Sequence, residues 1–134
     1  MFVDAAAMVA VLGREVEMDR CMEAMAAVEE VFTSPIAVWE AAMALARADK
    51  LGVPVPASFD LVMRFLQDNG IELRQLPPPE ELVTLSASAA ARFRGKTGYL
   101  NLADCFHYAS AKTRDMPMLH KDQGLSLTDL ASVS

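Results

Sequence analysis

The chain has few cysteines, no long apolar run and no excess of positive charge. Only two cysteines occur among its 134 residues, Cys21 and Cys105, which argues against a disulfide framework and fits a reducing cytosol. No apolar run approaches the ~20 residues of a membrane span, and Asp4 stands where a signal peptide carries positive charge. We therefore expect a cytoplasmic protein without membrane contact.

The charge balance limits how the protein can meet nucleic acid. A net charge of −6 argues against binding through an overall positive field, so any such contact must be local. With 53% hydrophobic residues the chain can bury one sizeable core, but its length is too short for two ordinary domains. We expect a single domain over residues 1–134.

Short apolar strands alternate with helical stretches along the chain. Strands are predicted at Met1–Val3, Val31–Thr33, Ile71–Leu76, Met116–His120 and Leu127–Ala131. Helices are predicted at Ala5–Leu12, Glu15–Val28, Ile36–Asp49, Ala57–Asp68, Glu80–Phe93 and Leu102–Arg114. Such alternation requires crossover connections, and it predicts an α/β fold in which helices cover both faces of a mostly parallel sheet.

Four acidic residues follow these strands at or near the start of a helix or loop. They are Asp4, Glu40, Asp104 and Asp122. Because ligands of open α/β sheets bind beyond the carboxyl ends of the strands, four distant segments would each deliver a carboxylate to one edge. Hard cations such as Mg²⁺ prefer oxygen ligands. The pattern therefore predicts a metal or phosphate site.

Each acid also has a purely structural explanation. Asp4 suits the N-cap of the helix that starts at Ala5. Glu40 and Asp104 lie in first helical turns, where an acid interacts favourably with the helix dipole. Asp122 suits an ordinary turn. The case for a site rests on the four acids occurring together.

Other polar and aromatic residues near these acids can also be explained by structure alone. We expect a surface or packing role for His107, a strand-end role or a phosphate contact for His120, and a core position for Trp39. Four basic residues form either a local phosphate-facing patch or a solubilising surface, and the sequence leaves both open. They are Arg92, Arg94, Lys96 and Lys121.

Four segments of the chain form a recognisable set. They are MFVDAAAMVAVL from Met1, SPIAVWEAAMALAR from Ser34, LNLADCFHYASAK from Leu100, and PMLHKD with the later LSLTDL from Pro117. Together they resemble the PIN-domain ribonucleases of the VapC toxin type, in order and spacing, over essentially the whole chain. The segment from Leu100 is the most specific.

The resemblance implies a three-layer α/β/α PIN fold and an endoribonuclease that depends on Mg²⁺ or Mn²⁺. Asp4, Glu40 and Asp104 match the family's first three catalytic, metal-binding acids, and Asp122 is the best match to the fourth. These carboxylates would hold the ion that activates water for hydrolysis of an RNA phosphodiester.

The same resemblance implies partners. An RNA substrate, a cognate antitoxin that inhibits the enzyme, and a homodimer are all expected. The antitoxin needs an apolar groove, for which the N-terminal helices offer Met18, Met22 and Met25.

Two departures from the family pattern support alternative functions. Many relatives place an acid where this chain has Gly124, and a serine where it has Ala6. Losing a hydroxyl that supports a metal site can weaken metal binding by ~10–100-fold. One alternative is therefore a weakened PIN-like module that binds RNA or an antitoxin without efficient cleavage. A phosphatase with Asp4 as nucleophile is less favoured, because Ala6 replaces its second aspartate.

Overall fold

The described strands form one five-stranded sheet. A computed structural model describes residues 1–94, 100–121, 129 and 132–133, without the side chains at 94, 132 and 133. The strands are β1 (Phe2–Val3), β2 (Phe32–Thr33), β3 (Glu72–Leu73), β4 (Met118–Leu119) and β5 (Ser132–Val133). They lie in the order β3-β2-β1-β4-β5, and each pairing is parallel. The predicted parallel sheet is confirmed.

Helices connect these strands. In the described residues they are α1 (Ala5–Leu12), α2 (Met18–Ala26), α3 (Pro35–Ala46), α4 (Val55–Asp68), α5 (Pro79–Ala89), a π-helical turn (Ala90–Arg94) and α6 (Leu102–Lys112). The order of strands reverses at β1. Because crossovers between parallel strands are right-handed, α1 to α4 lie on one face and α5 and α6 on the other. The α/β class is confirmed.

The core is built on the central strands and on α1. Phe2, Val3, Met118 and Leu119 are completely buried, as strands covered on both faces must be. Most of α1 is buried as well, through Ala5, Ala7, Met8, Val9 and Ala10. A helix that is apolar nearly all round has to lie inside the protein. The first twelve residues therefore form the centre of the fold.

Helix α4 starts earlier than predicted. It begins at Val55 and not at Ala57, because Pro56 fits the first turn of a helix. The last described strand lies at Ser132–Val133, and the strand predicted at 127–131 stays a prediction. Of residues 127–131 only 129 belongs to the described part of the chain.

Among the described residues, no helix combines the length and the apolar character that crossing a bilayer requires. The side chains of Cys21 and Cys105 are both buried.

A buried hydroxyl joins the first two strands and gives a test of the sheet. Thr33 Oγ1 donates to the carbonyl of Val3 at 2.7 Å. Thr33→Val keeps the shape but removes this hydrogen bond, so it should lower the free energy of unfolding by about 1 kcal/mol in urea denaturation. Thr84→Val is the matched control, because exposed Thr84 donates to the carbonyl of Glu80. Equal losses in the two variants would contradict the role given to Thr33.

Candidate metal centre

Asp4 joins the central strand to the first helix. Its backbone is extended (φ −82°, ψ 172°), and its Oδ1 accepts a hydrogen bond from Ala7 N at 2.9 Å, so it is the N-cap of α1. Its own amide donates to the carbonyl of Leu119 on β4 at 3.1 Å. Asp4 is only 3% exposed. The carboxylate is therefore fixed where the strand order reverses, which is the usual ligand position in open α/β sheets.

Glu40 is oriented by a histidine from the opposite side of the sheet. Ser34 caps α3 by accepting from Ala37 N at 3.2 Å, which sets the start of the helix that carries Glu40. His107 Nε2 lies 2.9 Å from Glu40 Oε1. Because a carboxylate accepts, Nε2 carries the proton in this pair. His107 is buried against the Phe2 ring, so its role is to hold Glu40, and the surface role considered for it is wrong.

Asp104 closes a capping box at the start of α6. Asn101 Oδ1 accepts from Asp104 N at 2.8 Å, and Asp104 Oδ2 accepts from Asn101 N at 3.1 Å. This reciprocal pair is a capping box, which satisfies two amides that a helix start leaves unpaired. The backbone around Asp104 is thereby held in one conformation.

The three carboxylates meet in one cleft of about 290 Å³. The cleft is lined by Asp4, Ala5, Ala6, Val9, Glu15, Glu40, Ala44, Lys50, Asn101, Asp104 and Lys121. Segments up to 100 residues apart in the sequence thus contribute acids to a single surface. Asp122 lies outside the described residues, and its place in the site stays a prediction.

Charge is concentrated in this cleft. Burial, with smaller contributions from the charges of Asp104 and Glu40, raises the pKa of Asp4 to about 7 against the lowering effects of the Ala7 amide and His107. A carboxyl that loses its water and faces two other acids has little to stabilise its charged form. A cation in the cleft would supply that stabilisation.

The oxygen donors of the cleft suit a hard divalent cation that keeps several of its bound water molecules. No three His, Cys, Asp or Glu side chains within the described ranges are arranged to hold one ion directly. Mg²⁺ commonly binds through one or two carboxylates and keeps several waters. Asp4 and Asp104 are the buried oxygen donors here, and the half-exposed Glu40 stands beside them.

The sequence as a whole matches the PIN domain family model over residues 1–130. The chain belongs to the PIN-domain family. It is 28% identical to a VapC ribonuclease of Rhizobium meliloti (strain 1021) over 142 residues, covering 96% of this chain and 98% of the relative. The resemblance to VapC-type PIN domains is thereby confirmed.

Solved structures share the fold of this PIN domain at low sequence identity. Mycobacterium tuberculosis VapC20, described as a toxin that cleaves the sarcin–ricin loop, superposes with a TM-score of 0.76 at 13% identity, covering 97% of this chain and 95% of its own. FitAcB from Neisseria gonorrhoeae gives 0.66 at 16% identity, with 99% and 96% covered. FitAB bound to the IR36 DNA fragment gives 0.68 at 17% identity, with 98% and 93% covered.

An apolar groove adjoins the cleft of the PIN domain. Trp39 is 57% exposed, so its predicted core position is wrong. The groove is lined by Ile36, Trp39, Glu40, Asn101, Leu102, Ala103 and Phe106. Glu40 and Asn101 therefore belong to both surfaces. On α2, Met25 is buried and Met22 is 37% exposed, so the three methionines do not form one exposed face.

The predicted basic patch is divided by the structure. Lys121 lines the cleft, whereas Arg92 pairs with Asp129 at 3.4 Å. Lys96 and the side chain of Arg94 lie outside the described residues. His120 is buried at the end of β4, where its carbonyl accepts from the Arg20 side chain at 3.5 Å.

Sequence reasoning missed two residues of the cleft, Glu15 and Lys50. Both lie in turns that follow helices, where a charged residue is usually a solvated surface residue. No motif distinguishes them from other charged turn residues.

The raised pKa of Asp4 makes the stability of the metal-free protein depend on pH. The carboxyl binds its proton more tightly when folded (pKa about 7) than at its ordinary value of 3.8. Stability should therefore fall as the pH rises between these values. Asp4→Asn keeps a capping side chain but removes the charge, so in chelator at about pH 8 it should raise the free energy of unfolding by at least ~1 kcal/mol.

The control for this measurement is an exposed acid on α4, Asp60. Asp60→Asn should change the free energy of unfolding little at either end of the pH range. The gain from Asp4→Asn should shrink toward about pH 4, where Asp4 is protonated in both proteins. A gain that is independent of pH would contradict the electrostatic explanation.

Proposed function

We propose that this PIN domain, a single domain over residues 1–134, is a metal-dependent endoribonuclease and the toxin of a type II toxin–antitoxin pair. The observation that carries the proposal is the convergence of Asp4, Glu40 and Asp104 in one cleft. The relationship to a VapC ribonuclease and the fold shared with VapC20 support the same activity.

The residues of the cleft have distinct tasks in this reaction. A bound Mg²⁺ or Mn²⁺ would lower the pKa of a water molecule bound to it and would neutralise charge on the attacked phosphate. Asp4 and Asp104 would hold the cation from helix starts whose caps fix their backbones. Glu40 is kept in place by His107 and would orient the attacking water. Asp122 would be the fourth acid. No side chain acts as a covalent nucleophile.

The remaining partners in the proposal come from the likeness to VapC proteins. RNA is the substrate, an antitoxin inhibits the enzyme, and a homodimer in the cytoplasm is the working form. The groove around Trp39 and Phe106 offers an exposed apolar surface beside the cleft to such protein partners.

Removing a central carboxylate tests the proposal. Asp4→Asn and Asp104→Asn should each lower cleavage of a structured RNA in Mn²⁺ about 100-fold or more, because each removes a charged oxygen donor from the cleft. The measurement is the initial rate with protein freed of any bound antitoxin. Asp60→Asn should cleave like the parent protein.

Metal binding is measured separately by thermal unfolding. Mn²⁺ should raise the unfolding midpoint of the parent protein and of Asp60→Asn, and should raise it less in the Asp4 and Asp104 variants. Cleavage that survives both substitutions, or that persists in chelator, would rule out the carboxylate–metal mechanism.

Ala6 favours a second candidate function, a weakened PIN module that binds RNA or antitoxin without efficient cleavage. Ala6 contributes only a methyl group to the cleft wall. If the missing hydroxyl limits the enzyme, Ala6→Ser should tighten Mn²⁺ binding and speed RNA cleavage, by roughly 10-fold. Ala90→Ser, on the π-helical turn, is the control for adding a hydroxyl elsewhere. An unchanged rate in Ala6→Ser would show that Ala6 does not limit the site.

A further inference from the structure

Two lysines lie in the same cleft as the three acids and share one carboxylate. Lys50 Nζ donates to Glu15 Oε1 at 2.5 Å, and Lys121 Nζ donates to Glu15 Oε2. Lys121 also lies 3.4 Å from Glu17 Oε2. We call Lys50 and Lys121 the lysine pair. All three residues of the Lys50–Glu15–Lys121 cluster line the cleft with Asp4, Glu40 and Asp104.

The cluster joins three distant turns of the chain. Glu15 follows α1 through Gly13, where a Cβ atom would lie 2.8 Å from the carbonyl of Val9, so a larger residue cannot adopt this turn without a shift. Lys50 lies in the turn after α3, whose amides donate back to the end of that helix. Lys121 lies two residues after the end of β4. The fold, and not local sequence, brings these charges together.

The lysine pair is held by carboxylates and still has N–H donors for a ligand. Hydrogen bonds from Lys121 and then Lys50 lower the pKa of Glu15, so its carboxylate is charged at neutral pH. A lysine ammonium carries three donors, so a phosphate oxygen can accept from one N–H group while Glu15 accepts from another. The charge of Glu15 still weakens the attraction of each lysine for the phosphate, and in this sense the two anions compete. The side chains of Lys50 and Lys121 are 32% and 35% exposed, which leaves both within reach of a ligand in the cleft.

We infer that the lysine pair is a binding site for a backbone phosphate of the RNA, next to the phosphate that is cleaved, and that Glu15 competes with this phosphate for the lysines. The inference rests on the proposed RNA-cleaving function and assigns its substrate contact. Phosphate contacts of this kind position a nucleic acid without reading its sequence.

The charges of the cleft are the reason for assigning a phosphate. Asp4, Glu40 and Asp104 repel a polyanion, and the protein as a whole carries a net charge of −6. Binding RNA here therefore requires local cations. Lys50 and Lys121 are the lysines among the residues that line this cleft. Lysine acts as a point charge toward phosphate and tolerates different approach angles.

Glu15 sets the resting state of the lysine pair. Without RNA its carboxylate accepts hydrogen bonds from both ammonium groups. An arriving phosphate offers the lysines a second anion. Removing the charge of Glu15 should then favour the phosphate, because its competitor is lost.

Direct RNA binding tests the inference without requiring cleavage. Fluorescence anisotropy of a short labelled single-stranded RNA is measured in chelator, as a function of salt. Lys50→Gln and Lys121→Gln should each weaken binding about threefold to tenfold and reduce the salt slope by ~0.7, the value for one lost phosphate contact on a single strand. Glu15→Gln should bind at least as tightly as the parent protein.

Lys112 provides a matched control. Its side chain is 34% exposed and pairs with Asp129 at 3.1 Å, so Lys112→Gln also removes one charge from an ion pair. It should leave RNA affinity nearly unchanged. Lys50→Arg and Lys121→Arg should retain binding, and thermal unfolding should show that all variants are folded. Lysine variants that bind like Lys112→Gln would overturn the inference, as would weaker binding by Glu15→Gln.

Cleavage kinetics separate this inference from the proposed function. With Mn²⁺, the lysine variants should raise KM several-fold and change kcat little, since the lysines bind a phosphate that does not react. Metal-dependent cleavage with the parent KM in both lysine variants would overturn the lysine site alone. Binding that depends on the lysines without any cleavage would overturn the nuclease and leave the phosphate site standing.

Discussion

The burial of one carboxylate beside two others in a single cleft is the constraint on which the rest of this structure depends. Burial raises the pKa of Asp4 to about 7, and the charges of Asp104 and Glu40 add smaller contributions in the same direction. Like charges are gathered in this way only when the surrounding structure holds them there. The fold does so by placing each acid on a backbone segment that other interactions already fix.

Those interactions give two of the acids a structural role besides the proposed chemical one. Asp4 caps α1 and Asp104 closes the capping box of α6, so each carboxylate accepts from an amide at a helix start. The positive end of the helix dipole offsets part of their charge. Glu40 does not cap a helix, and a hydrogen bond with His107 holds its side chain instead. A structural and a functional explanation of Asp4 and Asp104 are therefore compatible.

Much of the fold was predictable, because it follows from local patterns. The boundaries of α1 were predicted correctly, since Asp4 is a strong cap and a run of helix formers ends before Gly13. Errors arose where local signals were weak or misleading. Helix α4 begins two residues before the predicted Ala57, because Pro56 fits a first helical turn, and Trp39 is exposed although almost every neighbour on α3 is apolar. When nearly all residues of a helix are apolar, the sequence does not indicate which face of the helix is exposed to solvent.

The sequence by itself determined the alternation of strands and helices, the capping residues and the identity of the acids, because these depend on neighbours within a few positions. Only the tertiary structure decided that His107 contacts Glu40, that Glu15 holds both Lys50 and Lys121, and that these charges surround one cleft. Such contacts join segments up to about 100 positions apart. Their geometry depends on how whole helices pack across the sheet, and no local periodicity encodes it.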